Sequence, residues 1–316
     1  MSEKTVSIII PCYNGGRFLP EAIESALAQT HPKPHIIVVD DGSTDNSALI
    51  ASRYSGLRVV HQANQGLSGA RNTGLRECST DYVLFLDSDD RLLPDACKIG
   101  TLCLNAHPEC AFVYGLCRLI GPEGKPLPDR LQWNIARSPY QNNLTYEMLL
   151  RQTSIGQLGT AMFRRNVFES VGAFDPSLLW MQDNELCLRV ARTCPIYCHN
   201  QVVIEYRQHD QNKVRNSAQM LLYGLHVFDA QRQFTRCNAD YELARLRGRQ
   251  TWRRHWGVQV PFQVVRNVRT RRFPQAFKAA CIGLRYYPQG FLGFPRVILS
   301  RLLNRKNNKH QAHVPA

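Results

Sequence analysis

The chain has 316 residues, 44% of them hydrophobic and 20% charged. That is enough apolar material for a substantial core, and it excludes a disordered chain. No run of about eighteen apolar residues occurs, which excludes a membrane-spanning helix, and the opening MSEKTVSIII enters a strand-like segment with no cleavage site, so no secretory signal is expected. The net charge of +14 is uneven: from Arg232 onwards 18 Lys and Arg stand against 2 acids, whereas residues 1–231 hold 21 basic and 23 acidic side chains.

The first 120 residues alternate strand and helix signals. Val6 to Ile10 is a β-branched run ended by Pro11, and Phe18, Leu19, Ala22, Ile23, Ala26 and Leu27 then recur at helical spacing. Ile36 to Val39 is a second strand, followed at Ser43-Thr44-Asp45 by a helix N-cap region. Leu57 to Val60 leads into a helix over Ala70 to Arg76. Tyr82 to Leu86 ends in Asp87-Ser88-Asp89-Asp90, with Pro94 in the first turn of a helix reaching about His107. Further on, Ala111 to Leu116 and Val202 to Tyr206 read as strands, Arg165 to Val171 and Asn184 to Ala191 as helices, and Gly121 to Ser138 as a loop. Beyond about Ser217 the pattern is mainly helical, with breaks near Pro261, Pro274, Pro288 and Pro295.

Alternating strands and helices with uniformly apolar strands predict an α/β fold, a mainly parallel sheet covered on both faces. Ligands of such sheets bind beyond the carboxyl ends of the strands. Those ends are Pro11-Cys12-Tyr13-Asn14, Asp40-Asp41 and Asp87-Ser88-Asp89-Asp90, so polar side chains collect at one rim. Crowded carboxylates repel unless a cation offsets them, and an oxygen-only donor set suits Mg²⁺ or Mn²⁺ shared with phosphates. A solvated acidic turn is the alternative for Asp87 to Asp90, and an Asx turn the alternative for Asp40-Asp41. Eleven Cys at irregular spacing, with no C-x-x-C pair, read as reduced thiols of a cytoplasmic protein. Cys78, Cys97, Cys103 and Cys281 are expected to pack as small apolar groups in helix-like stretches.

The segments SIIIPCYNGGRFLPEAIESALAQT, VVDDGSTDNS, NQGLSGARNTGL, YVLFLDSDD, VGAFDPSLLWMQDNELCLRVAR and YRQHDQNKVRNS resemble family 2 glycosyltransferases over roughly residues 5 to 215. The resemblance implies a GT-A (Rossmann-like) catalytic domain over 1–215, with a nucleotide-sugar half to about 110 and an acceptor half beyond it, and a basic helical extension over 216–316. It also implies roles. Asp41 would recognise the base, with Asp40 and the turn of Pro11, Tyr13 and Asn14 framing the nucleoside, and Arg71 would approach the base or diphosphate. Asp87 and Asp89 form the D-x-D pair around Ser88, with Asp89 a metal ligand and Asp87 nearer ribose or metal. His209 would complete the metal site, and Asp183 would be the general base. The usual pair at that last position is Glu-Asp, whereas this chain has Gln182-Asp183; a mere helix cap is the bland reading of Asp183. Arg207 reads either as a phosphate contact or as a surface ion-pair partner.

These roles imply a metal-dependent, inverting transfer from a nucleoside-diphosphate sugar, UDP-linked by preference, to a hydroxyl of a glycan or lipid-linked acceptor. Without the Q-x-x-R-W signature of processive synthases, one sugar per encounter is expected. A polyprenyl-phosphate sugar synthase and a non-catalytic nucleotide-sugar or glycan-binding module are the rivals. In the basic quarter, Arg245, Arg247, Arg249, Arg253 and Arg254 interleave with Trp252 and Trp256, Arg266, Arg269, Arg271 and Arg272 form a second cluster, and Phe277, Cys281 and Leu284 follow at helical spacing. Phe291, Leu292, Phe294, Val297, Ile298, Leu302 and Leu303 come next, with Arg296, Arg301 and Arg305 among them. This pattern suits peripheral contact with an anionic membrane, or equally a helical extension packed by its apolar side. No nucleic-acid-binding module is recognisable.

Overall fold

The computed structural model describes residues 4–30, 33–128, 142–151, 157–210 and 212–294. Residues 129–138 of the expected loop, and Pro295, Arg296, Val297, Ile298, Arg301, Leu302, Leu303 and Arg305, lie outside the described residues. The chain divides into two compact units, residues 1–212 and 213–316.

In the first unit the elements run β1 (Val6–Cys12), α1 (Leu19–Leu27), β2 (His35–Asp40), α2 (Ser47–Ser52), β3 (Leu57–His61), α3 (Gly66–Arg76), β4 (Tyr82–Phe85), β5 (Arg91–Leu92) and α4 (Ala96–Ala106). There follow β6 (Phe112–Ile120), β7 (Asn143–Leu144), α5 (Tyr146–Arg151), β8 (Ala161–Arg164), α6 (Val167–Val171), α7 (Gln182–Ala191) and β9 (Ile196–Arg207). The strands form one sheet in the order β3-β2-β1-β4-β8-β6-β9-β5, with β7 on β9. β1 runs parallel to β2 and β4, β2 to β3, and β6 to β9, while β8 joins β4 to β6 antiparallel to both.

The expected α/β layering holds because every residue of β1 is buried, as a strand covered on both faces requires. Ile8 and Ile10 pack with Leu19, Ala22 and Ile23 of α1 and Cys97 of α4. On the opposite face Gly74 of α3 lies so close to Ile9 that a Cβ would sit 2.3 Å from its Cγ2. Phe85 stacks edge-on with Phe163, Phe168 and Phe174.

Several boundaries differ from the sequence reading: α3 begins at Gly66 instead of Ala70, β6 runs on to Ile120 and β9 begins at Ile196 instead of Val202. Pro11 does not end β1, which runs on to Cys12. Ile9 accepts from Leu86 on the β4 side and Cys12 from Asp41 on the β2 side, so Pro11 faces β4, and β4 has already ended at Phe85 opposite Ile9. Its missing N–H therefore costs no ladder bond. Pro94 precedes the N-cap Asp95 instead of lying in the first turn, and α2 is capped by Asn46, one residue past the expected region. The strands β5, β7 and β8, of two to four residues, are too short to show a period in the sequence.

The second unit contains α8 (Ser217–Ala230), α9 (Arg232–Thr235), α10 (Ala239–Gly257), α11 (Val260–Arg269) and α12 (Phe273–Tyr286). Pro261 and Pro274 sit at the first turns of α11 and α12, where a missing N–H is tolerated. Ala218, Leu221, Leu225, Trp256, Val260, Ala279 and Ile282 form its core, and Trp252 Nε1 donates to the Met220 carbonyl at 2.8 Å. All eleven cysteines are free, and Cys281, expected to pack inward, is exposed. Among the described residues no helix is long and apolar enough to cross a membrane.

Candidate active site

The site is assembled from the carboxyl ends of β1, β2 and β4. After Cys12 the chain turns at Asn14, which adopts φ +51°. Asn14 Oδ1 accepts from the backbone N–H of Thr44 at 2.8 Å and of Asp45 at 3.3 Å, and its own N–H donates to Ser43 Oγ at 3.0 Å. Asn14 thus ties the β1 turn to the loop after β2. Tyr13 is 53% exposed beside it, while Pro11 is buried inside the strand, so the exposed turn starts at Tyr13.

Asp40 and Asp41 are both buried. Asp40 Oδ1 accepts from the Ser43 N–H at 3.2 Å, and its Oδ2 lies 3.2 Å from His61 Nδ1. Asp41 Oδ1 accepts from Gln62 Nε2 at 2.6 Å and from the Gln65 N–H at 2.8 Å. Three buried polar atoms in this stretch have no hydrogen-bond partner among the described residues: Gln62 Oε1, Ser68 Oγ and Arg71 Nε. Buried groups of this kind are normally satisfied, so a concentration of them beside a strand-end rim marks a place where a polar ligand would bind.

Arg71 reaches from α3 to the third strand end. Its Nη2 donates to Asp87 Oδ1 at 2.8 Å, and its guanidinium lies 5.2 Å from the Phe174 ring centre. Asn72 and Phe174 exchange bonds of 2.8 and 2.9 Å, which pins the segment before α7 to α3. Ser88 sits against the β1 turn, its Oγ 2.8 Å from where a Cβ on Gly15 would stand. A side chain at position 15 would push Ser88 Oγ aside.

Asp87, Asp89 and Asp90 each offer a carboxylate oxygen, all within 4.8 Å of one another. His209 Nε2 lies 2.8 Å from Asp89 Oδ2, with its ring 5.0 Å from that of Phe18. Asp90 is fully buried, and burial together with the charges of Asp89 and Asp87 holds its carboxyl well above the usual range. It accepts from the Arg207 N–H at 2.8 Å and from Gln157 Nε2. A hard-oxygen donor set of clustered carboxylates with one imidazole fits Mg²⁺ or Mn²⁺.

Arg207 is an ion-pair partner, of Glu21, but its own side chain is buried and not at the surface. It is fully buried, donating from Nε to the Asp89 carbonyl at 2.8 Å, from Nη1 to the Pro122 carbonyl at 2.9 Å and from Nη2 to Glu21 Oε2 at 2.6 Å. Every guanidinium nitrogen is engaged beneath the acidic loop, so Arg207 is a strut. Sequence reasoning also missed Gln157 and Glu21, because a lone Gln or Glu in a helix-forming or loop stretch carries no local signal.

Asp183 lies in the first turn of α7, which begins at Gln182 behind Met181 at φ +66°. The N-cap position belongs to Met181, so Asp183 is not the outer cap of this helix. Its Oδ1 accepts from the Asn184 N–H at 2.9 Å. Burial raises its pKa, the nearby Arg71 cation lowers it and the Asp87 carboxylate raises it again. Arg71 and Asp87 therefore stand within electrostatic reach of Asp183, which the sequence places about a hundred positions away. Gln182 is buried next to it.

A sequence model of glycosyl transferase family 2 matches residues 7–172. An uncharacterized glycosyltransferase of Rickettsia felis is 31% identical over 218 residues, covering 65% of this chain and 34% of its own; the chain thus spans about a third of that relative's length. Among solved structures, S. aureus TarS 1–349 in complex with UDP-GlcNAc aligns with a TM-score of 0.56 and 19% identity, over 92% of each chain. The Pyrobaculum calidifontis mannosyltransferase PcManGT in complex with GDP-Man and Mn²⁺ aligns with a TM-score of 0.60 and 18% identity, over 90% of this chain and 88% of its own. At such identities the two structures establish the fold alone. With the family match and the strand-end geometry together, the chain is a glycosyltransferase of family 2, built on the GT-A fold.

Proposed function

We propose that the protein transfers one sugar from a nucleoside-diphosphate sugar, in the first instance a UDP-sugar, to a hydroxyl of a glycan or lipid-linked acceptor, with inversion at the anomeric carbon. The observation that carries this reading is the Arg71–Asp87 ion pair of 2.8 Å at the strand-end rim, whose two charges also act on the Asp183 carboxyl. A cation, a ligand for the donor's diphosphate region and a partly buried carboxylate are the groups such a displacement needs. The two solved neighbours bind nucleoside-diphosphate sugars, which supports the same donor class here.

In this reading Asp41 and the unsatisfied Gln62 Oε1 and Ser68 Oγ receive the nucleoside, and Arg71 orients the diphosphate. Asp87, Asp89 and His209 would hold Mn²⁺ or Mg²⁺, whose chemistry when bound is to stabilise negative charge on the departing diphosphate. Asp183 takes the proton from the acceptor hydroxyl as that oxygen attacks the anomeric carbon from the face opposite the leaving group. Carbon–oxygen bond formation and cleavage then occur in one displacement, with no protein nucleophile.

A donor screen by nucleoside-diphosphate release, run with Mn²⁺, Mg²⁺ and a chelator, tests the proposal. Metal-dependent release with at least one UDP-sugar is expected. Metal-independent release, or none from any nucleotide sugar across a broad acceptor panel, would overturn it.

A further inference from the structure

We propose that the outward face of α12 is a docking surface for an anionic lipid bilayer. Phe273, Phe277, Cys281 and Leu284 follow one another at intervals of four, four and three residues, so they form one stripe along the helix. Phe273 is 59% exposed, Phe277 74% and Leu284 55%, and Cys281 is exposed with them. The opposite face, with Ala276, Ala279, Ile282 and Gly283, is buried and accounts for the packing of α12 within its own unit. The helix is therefore apolar on two faces, and the core of the unit uses one of them.

The charge around the stripe selects the occupant. Lys278 and Arg285 are exposed along one edge of it. At its start Arg271 takes φ +57°, and the Arg272 N–H donates to the Asn267 carbonyl at 2.8 Å. That turn gathers the exposed Arg269, Arg271 and Arg272 at the helix end that bears Phe273. No acid follows Glu242 in the sequence, while residues 243–316 contain 16 Lys and Arg. The acids of this unit, Asp229, Asp240 and Glu242, precede α11 and α12, and Asp229 and Glu242 are engaged by Arg249 and Arg245.

Phenylalanine tips beside cationic side chains match a bilayer interface, where rings enter the acyl boundary and Lys and Arg stay among anionic headgroups. A second copy of the chain fits poorly. A two-fold contact through the stripe would set Lys278, Arg285 and the arginine turn against their own copies, and like charges across an interface disfavour it. This surface does not depend on the catalytic reading, and its test involves no sugar transfer.

The test is co-sedimentation of the full chain with vesicles of phosphatidylcholine alone and of equal parts phosphatidylglycerol and phosphatidylcholine. Binding is expected to the anionic vesicles only, with release as salt is raised. Phe273→Ser with Phe277→Ser should lower partitioning about tenfold or more, since burying a single phenylalanine contributes on that order. Lys278→Glu with Arg285→Glu should weaken it independently, and circular dichroism establishes that each variant is folded. No binding to anionic vesicles, or binding undiminished in a folded double-serine variant, overturns the proposal. So does a dimer in sedimentation velocity that the serine pair abolishes, which would make the stripe a contact between copies.

Discussion

The backbone N–H of Arg207 donates to Asp90 Oδ1 at 2.8 Å across 117 positions of sequence, and the Arg207 side chain grips the Asp89 carbonyl from the same side. The last residue of β9 thereby sets the shape of the acidic loop at the end of β4. Replacing Arg207 with Met removes the donor of the Asp89 and Pro122 carbonyls, while the partly exposed Glu21 keeps Arg91, so a loss of about 1–3 kcal/mol is expected in urea unfolding. Normal stability with weakened nucleotide binding would instead return Arg207 to the phosphate.

Asp183→Asn should lower turnover by about 10²–10⁴-fold while leaving nucleotide binding and melting temperature close to those of the parent. Burial holds the Asp183 pKa above the ordinary carboxylate value. The ionised, proton-accepting form therefore appears only as pH rises through that elevated value. The acid limb of kcat/KM is expected above about pH 4, the range of an unperturbed aspartate. A limb at or below that range contradicts the assignment, and undiminished turnover in the asparagine variant would favour a phosphate acceptor, which needs little help from a base.

Metal titration separates the roles of the paired Asp89 and His209. With Nε2 2.8 Å from Oδ2, the two side chains converge on one position. His209→Ala should raise the Mn²⁺ concentration for half-maximal activity about 10–100-fold, and Asp89→Asn should raise it further. Equal metal requirements in parent and variants would remove His209 from the site.

Glu242 supplies a pH-linked test in the helical unit. Hydrogen bonds from Arg245 and Thr235 lower its pKa to about 2, against an ordinary value of 4.5. A depressed acid contributes stability above its unfolded pKa and loses it as pH falls through the folded one. Glu242→Gln should thus cost about 1 kcal/mol at neutral pH, allowing for solvent screening of a partly exposed pair. The difference between parent and variant should shrink from about pH 4.5 and vanish near pH 2, as read from thermal melts. A constant difference across that window would rule out ionisation as the source.

What the sequence determined by itself is the part encoded in local periods and in the residues at strand ends. Uniformly apolar β-branched runs alternating with helical spacing specify a sheet covered on both faces, and Asp40, Asp41, Asp87 and Asp89 fall at one rim because parallel strands end on the same side. Tertiary structure alone decided which polar groups meet. Asp183 comes to Arg71 and Asp87, and Arg207 passes beneath Asp89 and Asp90, only because β8 inserts antiparallel between β4 and β6 and β9 lies parallel to β6. Strand order is a long-range choice with no periodic trace in the chain. The same holds for α12: helical spacing marks Phe277, Cys281 and Leu284 as one face, and only packing against α8 and α11 shows that the opposite face is the buried one and that Phe273 and Phe277 face outward.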